Sequence, residues 1–295
     1  MEPPKDKIIP YLFTHKDGVW IAENREIDTV KHLTDYITDC GYSADAPDID
    51  NYGYPKTFSK GETILACRLV DLVQSADVMV TDNHPLVPVQ GKLISVLPEF
   101  WAQWHFVPEY TDRPATIGYN CFMARIRGDR DRVFDIFQQR NMLANGLVSY
   151  LERDYDTVNA HGTLEQCIID TNISLILETY IRDDTIVFSE KTFRALQMPR
   201  PWLVYCSRKG IELLKTYGFD VLDDYVDISY DTIEPDWDRL DAIIDQLETF
   251  INKQYTPKDY ERFNQAAKHN QDLLKLYETQ WPLKLAEIKH KIRLA

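Results

Sequence analysis

The stretch from Ile173 to Leu222, ISLILETYIRDDTIVFSEKTFRALQMPRPWLVYCSRKGIELLKTYGFDVL, decides the fold. Its apolar runs at Ile173–Glu178, Ile186–Phe188, Trp202–Tyr205 and Phe219–Leu222 read as strands, each too short for an ordinary helix. Between them, a segment opening at Glu190 and another over Arg208–Tyr217 carry helical spacing. Strand and helix alternating in this way build a parallel sheet with crossover helices. Ser207 is a good N-cap for the second helix, and Gly218 a good residue to end it, because glycine enters the left-handed conformation without a Cβ penalty.

Beyond Asp236, the residues Leu240, Ile243, Ile244, Leu247 and Ile251 share one helical face, and Thr256-Pro257-Lys258-Asp259 is a capping-box start with proline at the first helical position. The chain is therefore expected to end in two or three helices. Upstream, helices are expected over roughly Arg130–Arg140 and Leu164–Asp170. Nearer the N-terminus, Ile8–Phe13 reads as a strand, Asp28–Ile37 as a helix, 42–60 as a loop and Glu62–Gln74 as a helix. Val78–Val80 and Lys92–Val96 read as strands. With 295 residues the chain has room for two cores. The expected fold class is α/β: two Rossmann-like lobes in a GT-B-like arrangement, with C-terminal helices. The expected divisions are an acceptor-side lobe over 1–150, a nucleotide-sugar lobe over 151–255, and helices over 256–295 that bridge back.

Composition narrows the function. With 44% apolar and 27% charged residues the chain is globular rather than disordered. It opens without a basic stretch leading into an apolar run, and nowhere do about 18 apolar residues follow one another. The expectation is a cytoplasmic protein, in the host cytoplasm for a viral one, with no membrane partner. Cys40, Cys67, Cys121, Cys167 and Cys206 form no CxxC pair, and read as buried thiols. A formal net charge of −14 opposes a broad nucleic-acid face. The local exception runs from Arg113 to Arg140 through Arg125, Arg127, Arg130 and Arg132, against Asp129, Asp131 and Asp135.

Ser189-Glu190-Lys191-Thr192 follows an apolar strand and opens a helix, where free backbone N–H groups favour an anion. Lys191 can then meet a phosphate, and Glu190 can accept hydrogen bonds from both ribose hydroxyls. Read alone, the same residues also fit a first-turn glutamate complementing the helix dipole beside a solvated lysine.

The assembly of Glu178-Thr179-Tyr180, Ser189 to Phe193, Pro199 to Leu203, Leu213 to Phe219 and Ser229-Tyr230-Asp231 resembles the nucleotide-binding half of fucosyltransferase-like glycosyltransferases. The variant found in bacteriophages and large DNA viruses is the most similar. The resemblance is loose over Cys121–Tyr150, and the first 110 residues carry none of its motifs. It implies that Glu190 and Lys191 contact ribose and phosphate, that Glu178 ends a strand nearby, and that Arg125 or Arg127 assists the diphosphate. Ser189 stands where the family often has threonine. An inverting transfer without an obligatory metal or other cofactor is implied, from a nucleoside-diphosphate sugar to a hydroxyl.

Such a transfer needs a base within reach of the acceptor hydroxyl. Asp82 and His84, just past a strand end, are the candidates, with Glu99 and His105 in reserve; a strand-end acid is also often a turn residue. Asp-x-Asp triplets at 48–50, 129–131, 154–156 and 236–238 follow no clear buried strand and are expected by chance in so acidic a chain. No GxGxxG or Walker loop is present. Two acceptors stay open: the hydroxymethyl group of modified cytosine in phage DNA, and a glycan or small molecule seated on Trp101 and Trp104. A non-catalytic interaction protein with a degenerate nucleotide fold is the reading from a different class.

Overall fold

The computed structural model describes residues 113–179, 181, 185–234 and 236–293, and before them Ala102 and the strand segments β1–β8 named next. The chain divides into two compact units, one of Met1–Phe100, Arg182–Val187 and Tyr277–Ala295, the other of Trp101–Ile181 and Phe188–Leu276.

In the first unit, β1 (Phe13–Lys16), β2 (Val19–Ala22), β6 (Val78–Thr81) and β8 (Lys92–Ser95) form a sheet in the order β1-β2-β6-β8. The β2–β6 and β6–β8 pairs are parallel, and the β1–β2 hairpin is antiparallel. β3 (Ser43–Ala44), β4 (Thr57–Lys60) and β5 (Thr63–Ala66) make an antiparallel meander. Two expectations change here. Part of the loop over 42–60 is strand, and the helix expected from Glu62 is strand over Thr63–Ala66, because Thr57 pairs with Ala66 and Lys60 with Thr63. Such cross-strand hydrogen bonds override local helical spacing. The rest of the expected helix, the helix Asp28–Ile37 and the start of the strand at Ile8 lie outside the described residues. A short antiparallel pair, β7 (His84–Pro85) with β13 (Thr185–Ile186), also belongs to this unit.

The second unit is built on a five-stranded sheet. It comprises β9 (Ile117–Met123), β10 (Gly146–Tyr150), β11 (Tyr155–Asp156), β12 (Thr171–Leu177) and, after β13 (Thr185–Ile186) of the first unit, β14 (Trp202–Tyr205). The spatial order is β11-β10-β9-β12-β14, with all pairs parallel except the edge strand β11. All seven residues of β12 are buried, as an interior parallel strand requires. Its polar members are satisfied internally: Asn120 donates to Thr171 Oγ1 at 2.6 Å and to Ser174 Oγ at 2.9 Å.

Helices cover both faces. α1 (Gly128–Gln139) buries Val133, Phe134 and Phe137 at helical spacing, and Phe137 packs edge-on against Tyr119 of β9. α2 (Leu164–Asp170) and α3 (Glu190–Leu196) lie against the opposite face, where Asn120 and Phe122 share a recess with Ile168 and Ala195. α4 (Gly210–Thr216) follows β14, and α5 (Asp236–Ile251) lies across β9, β12 and β14. Arg132 and Arg140 of α1 pair with Asp241 and Asp245 of α5, while Arg194 of α3 pairs with Glu165 of α2. The layers are thus α1/α5, sheet and α2/α3. α6 (Pro257–Arg293) begins with the expected capping box, Thr256 N–H donating to Asp259 at 2.7 Å and Asp259 N–H returning to Thr256 Oγ1 at 3.4 Å.

Three further expectations are corrected. The division at 150 falls inside this sheet, because β9 and β10 pair in register with each other and β9 with β12; the second unit starts at Trp101. Ser207 does not cap α4: Lys209, left-handed at φ 64°, is its N-cap. Gly218 does end it, at φ 90°. Phe219–Leu222 is not a strand, since Leu222 turns left-handed at φ 57° and its N–H folds back onto the Asp220 carboxylate at 3.0 Å.

Candidate functional site

In chain order the four parallel strands lie 2-1-3-4, so the connections that follow β9 and β12 run to opposite sides, and the switch point of the sheet falls at the carboxyl ends of these two strands. Ligands of open α/β sheets bind at such switch points. Arg125-Ile126-Arg127 follows β9 there, and Glu178-Thr179 follows β12.

Arg127 bridges the ends of these two strands. Its Nη1 donates to the Thr179 carbonyl, while Nε and Nη2 make a two-pronged contact with Asp129 at 3.1 and 3.0 Å. Its backbone N–H reaches the Tyr150 hydroxyl, which in turn donates to Asp131 at 3.0 Å. Arg125 is half-buried, and its carbonyl accepts Arg130 Nη1 at 3.2 Å. Beside them at the end of β14, burial pushes the Tyr205 phenol well up, with Asp236, Arg239, Asp129 and Arg127 in its field. The Arg239 guanidinium lies over the Tyr205 ring and donates to Cys206 O at 3.1 Å.

At the start of α3, Ser189 caps the Lys191 N–H at 3.3 Å, and Ser189, Glu190 and Lys191 are each partly exposed. The open anion cradle expected at this helix start is not found. Glu178, 1% exposed, turns its carboxylate inward and accepts the Ser189 N–H at 3.0 Å and the Thr192 hydroxyl at 2.5 Å. Its role is to fix α3, and what remains toward solvent is the Glu190 and Lys191 side chains. The recess that Lys191 lines with Phe122, Ile176 and Arg194 measures about 30 Å³, room for about one water.

The Arg113–Arg140 stretch is not a free cationic face. Arg113 pairs with Asp170, Arg132 with Asp241, Arg140 with Asp245 and Glu248, and Arg127 with Asp129. Within the Asp-x-Asp triplets, Asp131 holds Arg153, Asp156 accepts the Val158 N–H at 2.8 Å and Asp236 pairs with Arg239 at 2.6 Å. Among the described residues no three His, Cys, Asp or Glu side chains converge to hold a metal ion.

Of the base candidates, Asp82, Glu99 and His105 lie outside the described residues. His84 sits in β7 and is half-buried. Its buried Nδ1 has no hydrogen-bond partner among the described residues, and burial lowers its pKa. The imidazole is thereby held neutral, the form that accepts a proton. Cys121, Cys167 and Cys206 are free, buried thiols. No described helix is long and apolar enough to cross a membrane.

Sequence reading missed Asp129, Tyr150, Tyr205 and Arg239 at the site. Only Asp129 carried a signal, its place in the first turn of a helix that follows an arginine. No protein-family model, curated protein or solved structure matches this chain.

Proposed function

We propose that the protein is an inverting glycosyltransferase that moves a sugar from a nucleoside diphosphate to a hydroxyl acceptor. The observation that carries this reading is Arg127, placed at the switch point of the sheet with a planar fork of the kind that grips two phosphate oxygens. Lys191 and Glu190 stand in the same unit, partly exposed, with side chains suited to the second phosphate and the ribose.

In the reaction, the acceptor oxygen attacks the anomeric carbon while the bond to the β-phosphate oxygen breaks. The hydroxyl proton passes to a base, and the departing diphosphate keeps the bonding pair. Arg127 and Lys191 stabilise that developing charge. Because Arg113, Arg127, Arg132 and Arg140 are paired with acids, a glycan or small-molecule hydroxyl suits this chain better than duplex DNA.

A melting-temperature screen against UDP, GDP, CMP and dTDP sugars, followed by product analysis, tests the reading. The expected result is stabilisation by one donor class and a glycosylated product. Should no donor shift the melting temperature and no product form, the interaction-protein reading replaces this one. A DNA acceptor would announce itself by affinity that falls steeply with salt.

A further inference from the structure

Asp129 occupies the seat in which Arg127 would hold a phosphate. Both prongs of the guanidinium fork end on its carboxylate, at 3.1 and 3.0 Å, in a setting where the two side chains are 14% and 10% exposed. The third arm of Arg127 is fixed on Thr179 O. No anion can take the fork while Asp129 keeps it.

Asp129 also has somewhere else to go. It lies in the first turn of α1, and the N-cap of that helix, Arg127 itself, makes no side-chain capping bond. The first N–H groups of a helix attract a carboxylate, through hydrogen bonds and the helix dipole. A rotation of one short side chain moves Asp129 from the arginine to the start of its own helix.

We propose that Asp129 is a resident stand-in for the donor phosphate. It holds the fork when the site is empty, and yields it only to an anion bound strongly enough to displace it. This rests on the donor reading above. The device makes Arg127 poor at catching stray monoanions and good at catching a diphosphate that Lys191 also holds. It also keeps a buried guanidinium from standing without a counter-charge.

The test is calorimetric titration of the full chain with UDP, GDP, CDP, dTDP and inorganic pyrophosphate, for wild type, Asp129→Asn, Arg127→Gln and the double variant. If the proposal holds, Asp129→Asn binds pyrophosphate and the preferred nucleotide on the order of tenfold more tightly, and the gain vanishes in the Arg127→Gln background. Unchanged or weaker binding by Asp129→Asn, with wild type binding normally, overturns the stand-in and leaves the donor reading intact. A gain that persists without Arg127 also overturns it, since the effect is then general charge removal. Absence of binding by every protein to every probe defeats both. If Asp129→Asn melts below the working temperature, Asp129→Ser, which keeps an oxygen at the helix start, is read in its place by the same outcomes.

Discussion

Thr192 donates its hydroxyl to the Glu178 carboxylate at 2.5 Å, tying the first turn of α3 to the residue that follows β12. Glu178 also takes the Ser189 N–H, so one buried side chain satisfies two donors at the start of a helix that begins twelve residues later. Glu178→Ala leaves both donors without this acceptor, a cost of about 1–3 kcal/mol. Glu178→Gln keeps an oxygen acceptor and is expected to lose less. Urea denaturation checks both, and an alanine variant as stable as wild type removes Glu178 from this role.

Lys191→Ala is expected to weaken nucleoside-diphosphate binding by about 1.5–3 kcal/mol, the range for a hydrogen bond to a charged group. Calorimetry reads it directly. Equal affinity in the two proteins takes Lys191 out of the donor site.

Gly118 in β9 has no space for a side chain. A Cβ there would stand 2.7 Å from Asn145 O and 3.0 Å from Ile251 O, both backbone atoms that cannot swing aside. Gly118→Ala is expected to cost about 1–3 kcal/mol by overpacking, seen as a lower melting temperature. An unchanged melting curve contradicts the close approach of α5 to this strand.

Asp231, 4% exposed, accepts the Glu212 N–H at 3.0 Å, and burial raises its pKa above the ordinary carboxylate value. The folded chain therefore holds this proton more tightly than the unfolded one. The stability it contributes is greatest below the unfolded carboxylate value of about 3.9 and declines as pH rises through the folded one. Asp231→Asn keeps an acceptor oxygen without the charge. Its stability is expected to fall less than that of wild type between pH 4 and neutrality, in denaturation curves taken at each pH. Parallel slopes for the two proteins would refute the assignment.

Much of the second unit was legible from local pattern. Trp202–Tyr205 and Leu164–Asp170 were expected with the bounds the structure has, because a continuous apolar run and a helical period are local signals. β9 and β10 escaped notice. Asn120 interrupts the apolar character of β9, and its amide is tolerated only because Thr171 and Ser174 of a strand fifty residues on receive it. At Thr63–Ala66 the helical spacing was real, but pairing with Thr57–Lys60 outweighed it. The site followed the same division. Arg127, Glu190 and Lys191 stood out by residue type and position. Asp129 in the Arg127 fork, and Glu178 turned inward onto α3, are products of three-dimensional approach that spacing does not encode.

The first unit draws on three separate stretches of chain, and the partner that Pro85 and His84 find at Thr185 and Ile186 is about a hundred residues further along. A ribosome must therefore deliver the chain past Tyr277 before that unit can close. Residues 101–276, interrupted only by the short excursion at 182–187, hold everything the other sheet needs. Assembly should proceed from the middle outward, with the half that starts first finishing last.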